Sequence, residues 1–394
     1  MKKIAMIGPE LYPIPPIRGG ASELWIEKAS RALKKYRTFI FSPTDPDLPK
    51  QELSGDIQYF RIPVPRFKRT VYSWFKAYLA DYEKKISPLL IKIDPDIIHV
   101  HNRPLLIPFF RKRFPEKRIV FHMHNVYEYL GRLEKPNGDF EIQTDLTLAC
   151  SRFLLDREKN RLGQGAKRLD VIYNGVEPEV FRPSWDNPAE ADGLRRQYGL
   201  EGKKVVLYTG KIRESKGVMV LFSAMKQVFL KDPTIHLVLA GGTGFGYKRT
   251  DKATDFSERL QKEIRAFPDR VTFIRFTQPR NMPRIYLLGD IFAAPSQLEE
   301  ALGMVFLEAS ACGLPVIGTS QGGIPEVIRD QETGLLLREK DNVEELSDKI
   351  LFLLRNPDLA RRMGEKGRQL MMNYFSWDKI AQRLESSYDD LLAQ

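Results

Sequence analysis

At 394 residues the chain exceeds the size of one typical core and fits two domains of near-average length. Its 42% hydrophobic and 29% charged content is that of a globular protein, and no apolar run reaches the roughly eighteen residues that span a bilayer, which argues against a helical membrane protein. The net charge of +11 is unevenly placed: residues 1–185 hold 32 Lys/Arg against 22 Asp/Glu, or +10, and residues 186–394 hold 30 against 29, or +1. That surplus points to an anionic partner for the N-terminal half, such as a membrane surface, a phosphorylated lipid, an acidic glycan or nucleic acid, without choosing among them.

The N-terminus, Met1-Lys-Lys-Ile-Ala-Met-Ile-Gly8, passes straight into a strand-like run with no extended apolar region or cleavage site, so a cytoplasmic location is expected. Short apolar, β-rich runs then alternate with helical segments. In the first half they are Lys3–Ile7, Thr38–Phe41, Ile97–His101, Ile119–His122, Leu146–Ala149 and Asp170–Ile172. In the second half they are Lys204–Tyr208, His236–Ala240, Val271–Ile274, Ile291–Ala294, Pro315–Ile317 and Gly334–Leu337. Alternation of this kind predicts parallel sheets flanked by helices. The Pro-rich, polar stretch Phe181–Pro188 separates the two series and precedes a helical segment, Ala189–Tyr198. The expected organisation is therefore α/β with two tandem Rossmann-like domains, 1–185 and 186–375, and an interdomain cleft. A C-terminal segment, 376–394, reads as a helix capped by Ser376, with Ile380, Leu384, Tyr388 and Leu391 on one stripe that returns to the first domain. The two cysteines, Cys150 and Cys312, show neither metal-ligand nor redox spacing and read as buried thiols.

Ligands bind open α/β folds beyond the carboxyl ends of the strands, so the segments that follow strands carry the candidate chemistry. After the first strand a proline-stiffened loop ends in Gly19-Gly20-Ala21 at a helix start, where backbone amides suit a phosphate or sugar. His101 closes one strand, and His122 and His124 close the next, in a chain with only five histidines. Two strand ends together make a polar active-site role as reasonable as structural packing, and the spacings do not make a convincing zinc set. The basic, aromatic stretch Arg66–Leu79 reads either as a helix packed on its own domain or as one lying on an anionic membrane.

The second domain opens with Val205-Val-Leu-Tyr-Thr-Gly210-Lys-Ile-Arg-Glu-Ser-Lys216-Gly217. Lys211, Arg213 and Lys216 on a strand-to-helix loop suit a diphosphate, with Gly217 allowing close backbone approach. Glycine turns follow two further strands, Val238–Gly244 and Gly318–Glu326, and each reads equally as a tight turn or as a source of backbone amides. Between them lies Ser296-Gln-Leu-Glu-Glu-Ala-Leu-Gly-Met-Val-Phe-Leu-Glu308. Gly303 breaks helical continuity, so Glu300 is placed on a polar loop and Glu308 near the first turn of a helix from about Met304 to Ala311. Two acceptor-only carboxylates beside a helix N-terminus suit sugar and ribose hydroxyls next to a phosphate, although an isolated pair at this spacing is commonly a solvated surface.

The ordered set of Gly19-Gly20, Asn174-Gly-Val, Gly210-Lys…Lys216-Gly217, Glu300-x7-Glu308, Ala311-Cys-Gly-Leu-Pro and Gly322-Gly-Ile-Pro-Glu resembles the retaining family 4 glycosyltransferases of GT-B fold. Within that family it is most similar to bacterial enzymes of spore-coat and cell-surface polysaccharide synthesis. The resemblance implies transfer of a sugar from a nucleoside-diphosphate sugar, UDP-linked, to a glycan or lipid-linked acceptor. Lys211 and Lys216 would bind the diphosphate, Glu308 the ribose and Glu300 the sugar hydroxyls, with main-chain amides of Gly303, Met304 and Val305 and the Gly20 loop completing the donor grip. His124 matches the family's catalytic-cleft histidine, with His122 the alternative, and Gly19, His101 and His122 are assigned to the acceptor side or cleft.

No cofactor or metal is expected, because lysines and helix-end amides stabilise the leaving phosphates. Asp94-Pro-Asp96 precedes a strand and reads as a turn. By the same resemblance the acceptor attacks on the leaving-group face, with Glu300 positioning. Two residues depart from the family pattern: Lys211 stands for a usual arginine, losing a bidentate fork, and Ala301-Leu302 stand for Gly-Phe beside the sugar pocket. Peripheral contact with the inner membrane face or the spore coat is consistent with the basic first domain, and no nucleic acid partner is expected. The competing readings are another GT-B enzyme, such as a nucleotide-sugar epimerase or an inverting transferase, and a catalytically silent glycan- or nucleic-acid-binding protein.

Overall fold

The computed structural model describes residues 1–64, 72–126, 143–159, 168–242, 255–275 and 277–393, with side chains omitted for 72–80. The chain forms two compact units: Met1–Gly175 together with Trp377–Gln394, and Val176–Ser376.

The first unit is built on an eight-stranded sheet of β1 (Lys2–Ile7), β2 (Tyr36–Pro43), β3 (Gln51–Ser54), β4 (Ile57–Ile62), β5 (Ile97–His101), β6 (Arg118–Met123), β7 (Leu146–Ala149) and β8 (Leu169–Val171), in the order β3-β4-β2-β1-β5-β6-β7-β8. Ile4, Ala5, Met6 and Ile7 are all fully buried, which explains why this strand reads as a continuous apolar run: helices cover both faces. The expected sheet is parallel throughout. The observed one is not, because β3 and β4 form an antiparallel edge hairpin, Glu52 opposite Tyr59. The sequence signal for β3 is weak, since its four residues alternate between exposed and half-buried and include no β-branched side chain.

The helix Trp377–Leu392 belongs to this unit, and Ile380, Leu384, Tyr388 and Leu391 are buried in the same apolar cluster as Trp25 and Ile26 of the helix Ala21–Ala32. Its polar edge is tied as well: Glu385 accepts from the amides of Lys34 and Lys35 at 2.6 and 2.8 Å.

The second unit is a six-stranded, wholly parallel sheet of β9 (Lys204–Thr209), β10 (Ile235–Ala240), β11 (Val271–Ile274), β12 (Ile291–Ala293), β13 (Val316–Thr319) and β14 (Gly334–Leu337), in the order β11-β10-β9-β12-β13-β14. Twelve of the fourteen strands coincide with the runs read from the sequence to within two residues at each end. Strand order reverses between β1 and β5 in one unit and between β9 and β12 in the other. Each sheet therefore has a topological switch point, where ligand sites of open α/β folds form.

The division between units falls after Gly175, ten residues before the boundary expected at 185. The Pro-rich stretch expected as a linker is instead part of the second unit. Arg368 donates to the carbonyls of Phe181 at 3.0 Å and Pro178 at 3.2 Å, and Asn187 caps the helix Pro188–Gln197. Prolines here leave carbonyls for a side chain to satisfy, which resembles a linker in composition but not in behaviour. The segment 66–79 lies outside the described residues except for the backbone of the helix Tyr72–Ile93, and residues 243 and 244 of the glycine turn lie outside them too. Among the described residues no helix is long and apolar enough to cross a membrane.

Candidate functional site

In the second unit the loops leaving β9 and β12 converge at the switch point. After β9, Gly210 adopts φ 137°, and Tyr208 Oη donates to the Lys211 carbonyl at 2.9 Å, fixing the start of the loop. Burial, reinforced by Arg213 and Lys216, pushes the Lys211 ammonium down to about 8. The loop tightens into a single 3-10 turn, Glu214–Lys216, and Gly217 then starts the helix Val218–Lys231. Lys216 Nζ donates to Glu300 Oε1, and Ser296 Oγ donates to the same oxygen at 2.8 Å. Lys211 and Lys216 thus stand on one loop, while Glu300, on the other, has one oxygen held by both an ammonium and a hydroxyl.

Gly217 was expected to let backbone approach a ligand. What it approaches is the other loop: a Cβ there would lie 1.7 Å from the Pro295 carbonyl oxygen, and its φ is +71°. Gly322 and Gly323 behave similarly. A Cβ on Gly322 would sit 2.4 Å from the Glu300 carbonyl oxygen, and the Gly323 amide donates to that oxygen at 2.8 Å. The Gly323 amide is therefore committed to shaping the Glu300 loop. These glycines set how closely the loops pack, and through that where Lys216 and Glu300 meet.

The helix Met304–Ala311 begins at Gly303, φ 95°, with no side-chain cap, so Met304 and Val305 are first-turn residues whose amides have no intrahelical acceptor. Glu308 is the fifth residue of this helix, in its second turn and not its first. It is half-buried: Tyr286 Oη donates to its Oε2 at 2.6 Å, and Tyr286 Oη lies 2.7 Å from Thr209 Oγ1 at the end of β9. Burial pushes the Glu308 carboxyl up to about 7, against the lowering effect of the Tyr286 bond. Sequence reasoning missed Tyr286 and Thr209. Neither belongs to a recognisable motif, and only the fold brings β9, the short helix Met282–Tyr286 and Glu308 together.

In the first unit Gly19 and Gly20 have φ 82° and 115° and lead into the helix Ala21–Ala32. A Cβ at Gly20 would meet Glu23 Oε2 at 2.1 Å. Glu23 is buried, accepts from Ser22 Oγ at 2.9 Å, and is pushed up from the usual carboxylate range by that burial.

The histidines form a closer group than expected. His101 is opposite His122 in the β5–β6 register, and His101 Nδ1 lies 3.0 Å from His124 Nε2. A fourth member, His99, two residues before His101, was overlooked; its Nδ1 lies 2.6 Å from Tyr388 Oη. The strand alternation rule was enough to find it, because residues two apart face the same way. Trp25 covers the group, its ring centroid 4.5 Å from that of His122. Burial keeps all four imidazoles neutral, holding His124 at about 3 and the others well below the usual value; on His122 it outweighs the Ile172 backbone carbonyl, which acts the other way. The His124 amide donates to Asn102 Oδ1 at 2.8 Å, and Asn102 itself sits at φ 54°.

Comparison with known proteins places the chain in a family. Residues 18–180 match the family model Glycosyltransferase Family 4, and residues 191–370 match Glycosyl transferases group 1. The chain belongs to the GT-B glycosyltransferases. This glycosyltransferase is 28% identical to Spore coat protein SA of Bacillus subtilis over 391 residues, 98% of this chain and 99% of that protein. It is also 28% identical to the Lipopolysaccharide 1,2-N-acetylglucosaminetransferase of Salmonella typhimurium, over 98% of this chain and 97% of that one. The fold matches sucrose-phosphate synthase from Thermosynechococcus elongatus with a TM-score of 0.80 at 23% identity, covering 100% of both chains. Anabaena HepE in complex with UDP-glucose matches with a TM-score of 0.74 at 20% identity, covering 99% of this chain and 100% of that one.

Proposed function

We propose that this glycosyltransferase moves a hexose from a UDP-linked sugar to a glycan or lipid-linked acceptor of cell-surface or spore-coat polysaccharide, with retention at the anomeric carbon and without a metal cofactor. The observation that carries the reading is the meeting of Lys216 with Glu300 at the switch point of the second unit, beside Lys211 and the uncapped start of the Met304–Ala311 helix. Two ammonium groups and unsatisfied amides on adjoining loops supply the positive potential a leaving diphosphate needs. A carboxylate paired to one of those ammoniums is the acceptor for sugar hydroxyls.

In this reading Lys211 and Lys216 hold the diphosphate, and the amides of Met304 and Val305 take up charge as the anomeric bond breaks. Glu300 positions the transferred sugar. Glu308, held by Tyr286, accepts from the ribose. The acceptor hydroxyl attacks the anomeric carbon on the face the phosphate leaves, and the departing phosphate takes its proton. By family resemblance alone, His124 is assigned to the catalytic cleft, Gly20 to the donor grip and Gly19 to the acceptor side. Uridine as the base is favoured by the UDP-glucose complex of a protein of the same fold, and a cell-surface acceptor by the names of the full-length relatives. A cytoplasmic location, with contact between the basic first unit and an anionic membrane face, belongs to the same proposal.

The test is a thermal-shift screen of nucleoside diphosphates and their sugars with chelator present throughout, since a ligand bound only by the native state raises apparent stability. UDP and at least one UDP-sugar are expected to raise the melting temperature, and with acceptor present the matching α-linked sugar is expected to appear as an α-glycoside together with one equivalent of UDP. No shift with any nucleoside diphosphate sinks the donor site; conversion of the nucleotide sugar without acceptor or UDP release favours an epimerase.

A further inference from the structure

His99 and His101 are two residues apart on β5 and share a face, and His122 is paired with His101 on β6. One ring nitrogen from each of these three side chains lies within 4.8 Å of the others. All three are fully buried. His99 Nδ1 is engaged by Tyr388 Oη at 2.6 Å and His101 Nδ1 by His124 Nε2 at 3.0 Å. Their Nε2 atoms, and both ring nitrogens of His122, are buried with no hydrogen bond of full distance and angle, the Ile172 backbone carbonyl being the one group near enough to act on the His122 ring. Native proteins leave only a few buried polar atoms unpaired per hundred residues, and here three touching side chains share four of them.

We propose that the first unit binds one borderline transition-metal ion, of the zinc and cobalt class, on His99, His101 and His122. Neutral imidazoles are ligands for such ions and not for magnesium or calcium. The hydrogen bonds already present are the ones a ligating histidine makes. With the Nδ1–H of His99 donating to Tyr388 and the Nδ1–H of His101 donating to His124, the tautomers this proposal requires, each Nε2 lone pair is left for the ion. Metal–nitrogen bonds of about 2.0–2.1 Å require the three nitrogens, which lie within 4.8 Å of one another, to draw in to roughly 3.3 Å on binding. The ion would clip β5 to β6, reach the C-terminal helix through Tyr388, and hold His101 against His124. This role is structural, separate from the loops of the second unit, and does not depend on the donor reading.

The chain suits a clean test. Its fifth histidine, His236, stands in the second unit beside Thr272, so the cluster is the only group of imidazoles. Untagged full-length protein, stripped with chelator, is titrated with Co²⁺ and followed by visible absorption and X-ray absorption. One Co²⁺ per chain is expected, displaced by Zn²⁺, with about three imidazole nitrogens at roughly 2.0–2.1 Å. The pair His99→Gln and His122→Gln is expected to abolish uptake, and Tyr388→Phe, which keeps every ligand, to weaken it about 10- to 100-fold. No uptake by the wild type, an all-oxygen shell, or undiminished uptake in the folded double variant overturns the proposal and leaves the cluster a solvated or packed core. Should the double variant not fold, the wild-type X-ray absorption decides alone: an imidazole shell supports the site, and any other shell overturns it.

Discussion

Lys216 donates to the same oxygen of Glu300 that accepts from Ser296, so the cation expected to face the donor phosphates and the carboxylate expected to face the sugar restrain one another before any ligand arrives. Removing the charge with Lys216→Met deletes a phosphate contact and releases Glu300 to Ser296 alone. The expected result is a fall in kcat of about 100-fold or more, the scale of losing one preorganised charge stabiliser. Glu300→Gln keeps the shape and the Ser296 contact but weakens the hold on Lys216, and is expected to lower kcat as well. Steady-state UDP release with each variant is the measurement; losses below about threefold in both would remove the pair from the chemistry.

Glu308 carries a testable pH signature. Burial pushes its carboxyl up to about 7 in the folded protein, from an ordinary value of 4.5. Between those values the folded state holds a proton that the unfolded state has released. Stability from this group is thus complete below about 4.5 and is lost as pH rises through 7, a change of roughly 3 kcal/mol if the group acts alone. Glu308→Gln mimics the protonated form and can keep the Tyr286 contact. Urea unfolding of the second unit from pH 5 to 8 is expected to show a downward slope in the wild type and a flatter one in the variant.

The sequence carried the alternation of strands and helices because long, fully buried parallel strands such as β1 and β9 leave continuous apolar runs. It also carried the loops of Lys216 and Glu300, which the structure brings together. What it did not show depends on partners distant in the chain. The β3 edge strand is polar, whereas β4 buries Ile57, Tyr59 and Ile62 beside β2 and was legible by its alternation. Tyr286 and Thr209 matter only because β9 lies beside β12. The glycines of Gly322-Gly323 look like phosphate amides until the fold shows Glu300 against them. Phe181–Pro188 looks like a linker until Arg368 is seen donating to its carbonyl neighbours.

Gly217 is the position where local geometry and loop packing coincide. Its φ of +71° disfavours any side chain, and a Cβ would sit 1.7 Å from the Pro295 carbonyl oxygen, a backbone atom with little room to yield. Gly217→Ala is therefore expected to destabilise the second unit by about 2 kcal/mol or more, combining left-handed strain with a steric clash. Gly19→Ala is the control: its φ is also positive, but no atom lies within 4 Å of the added carbon. It is expected to cost about 1–2 kcal/mol, from strain alone. Melting curves of the two variants separate clash from strain, and equal losses would show that the Pro295 contact relaxes freely.

Lys211 is the second phosphate candidate, and its lowered pKa makes its role measurable without a substrate. Burial and the neighbouring Arg213 and Lys216 bring it to about 8, so in the free protein it is mostly charged at pH 7 and mostly neutral at pH 9. A bound diphosphate favours the charged form. Its terminal phosphate, with a second pKa near 6, is ionised throughout that range and adds no titration of its own. UDP affinity is expected to fall as pH rises past 8, approaching tenfold per unit until the pKa of the bound lysine is reached. Lys211→Met is expected to bind about tenfold more weakly at pH 7 and to show no such step. Lys211→Arg restores a charge that does not titrate, and with it the fork that most of the family carries, so its affinity is expected to stay level from pH 7 to 9.5. Calorimetric titration of the three proteins with UDP reads both quantities, and a wild-type affinity independent of pH across that window places Lys211 away from the phosphates.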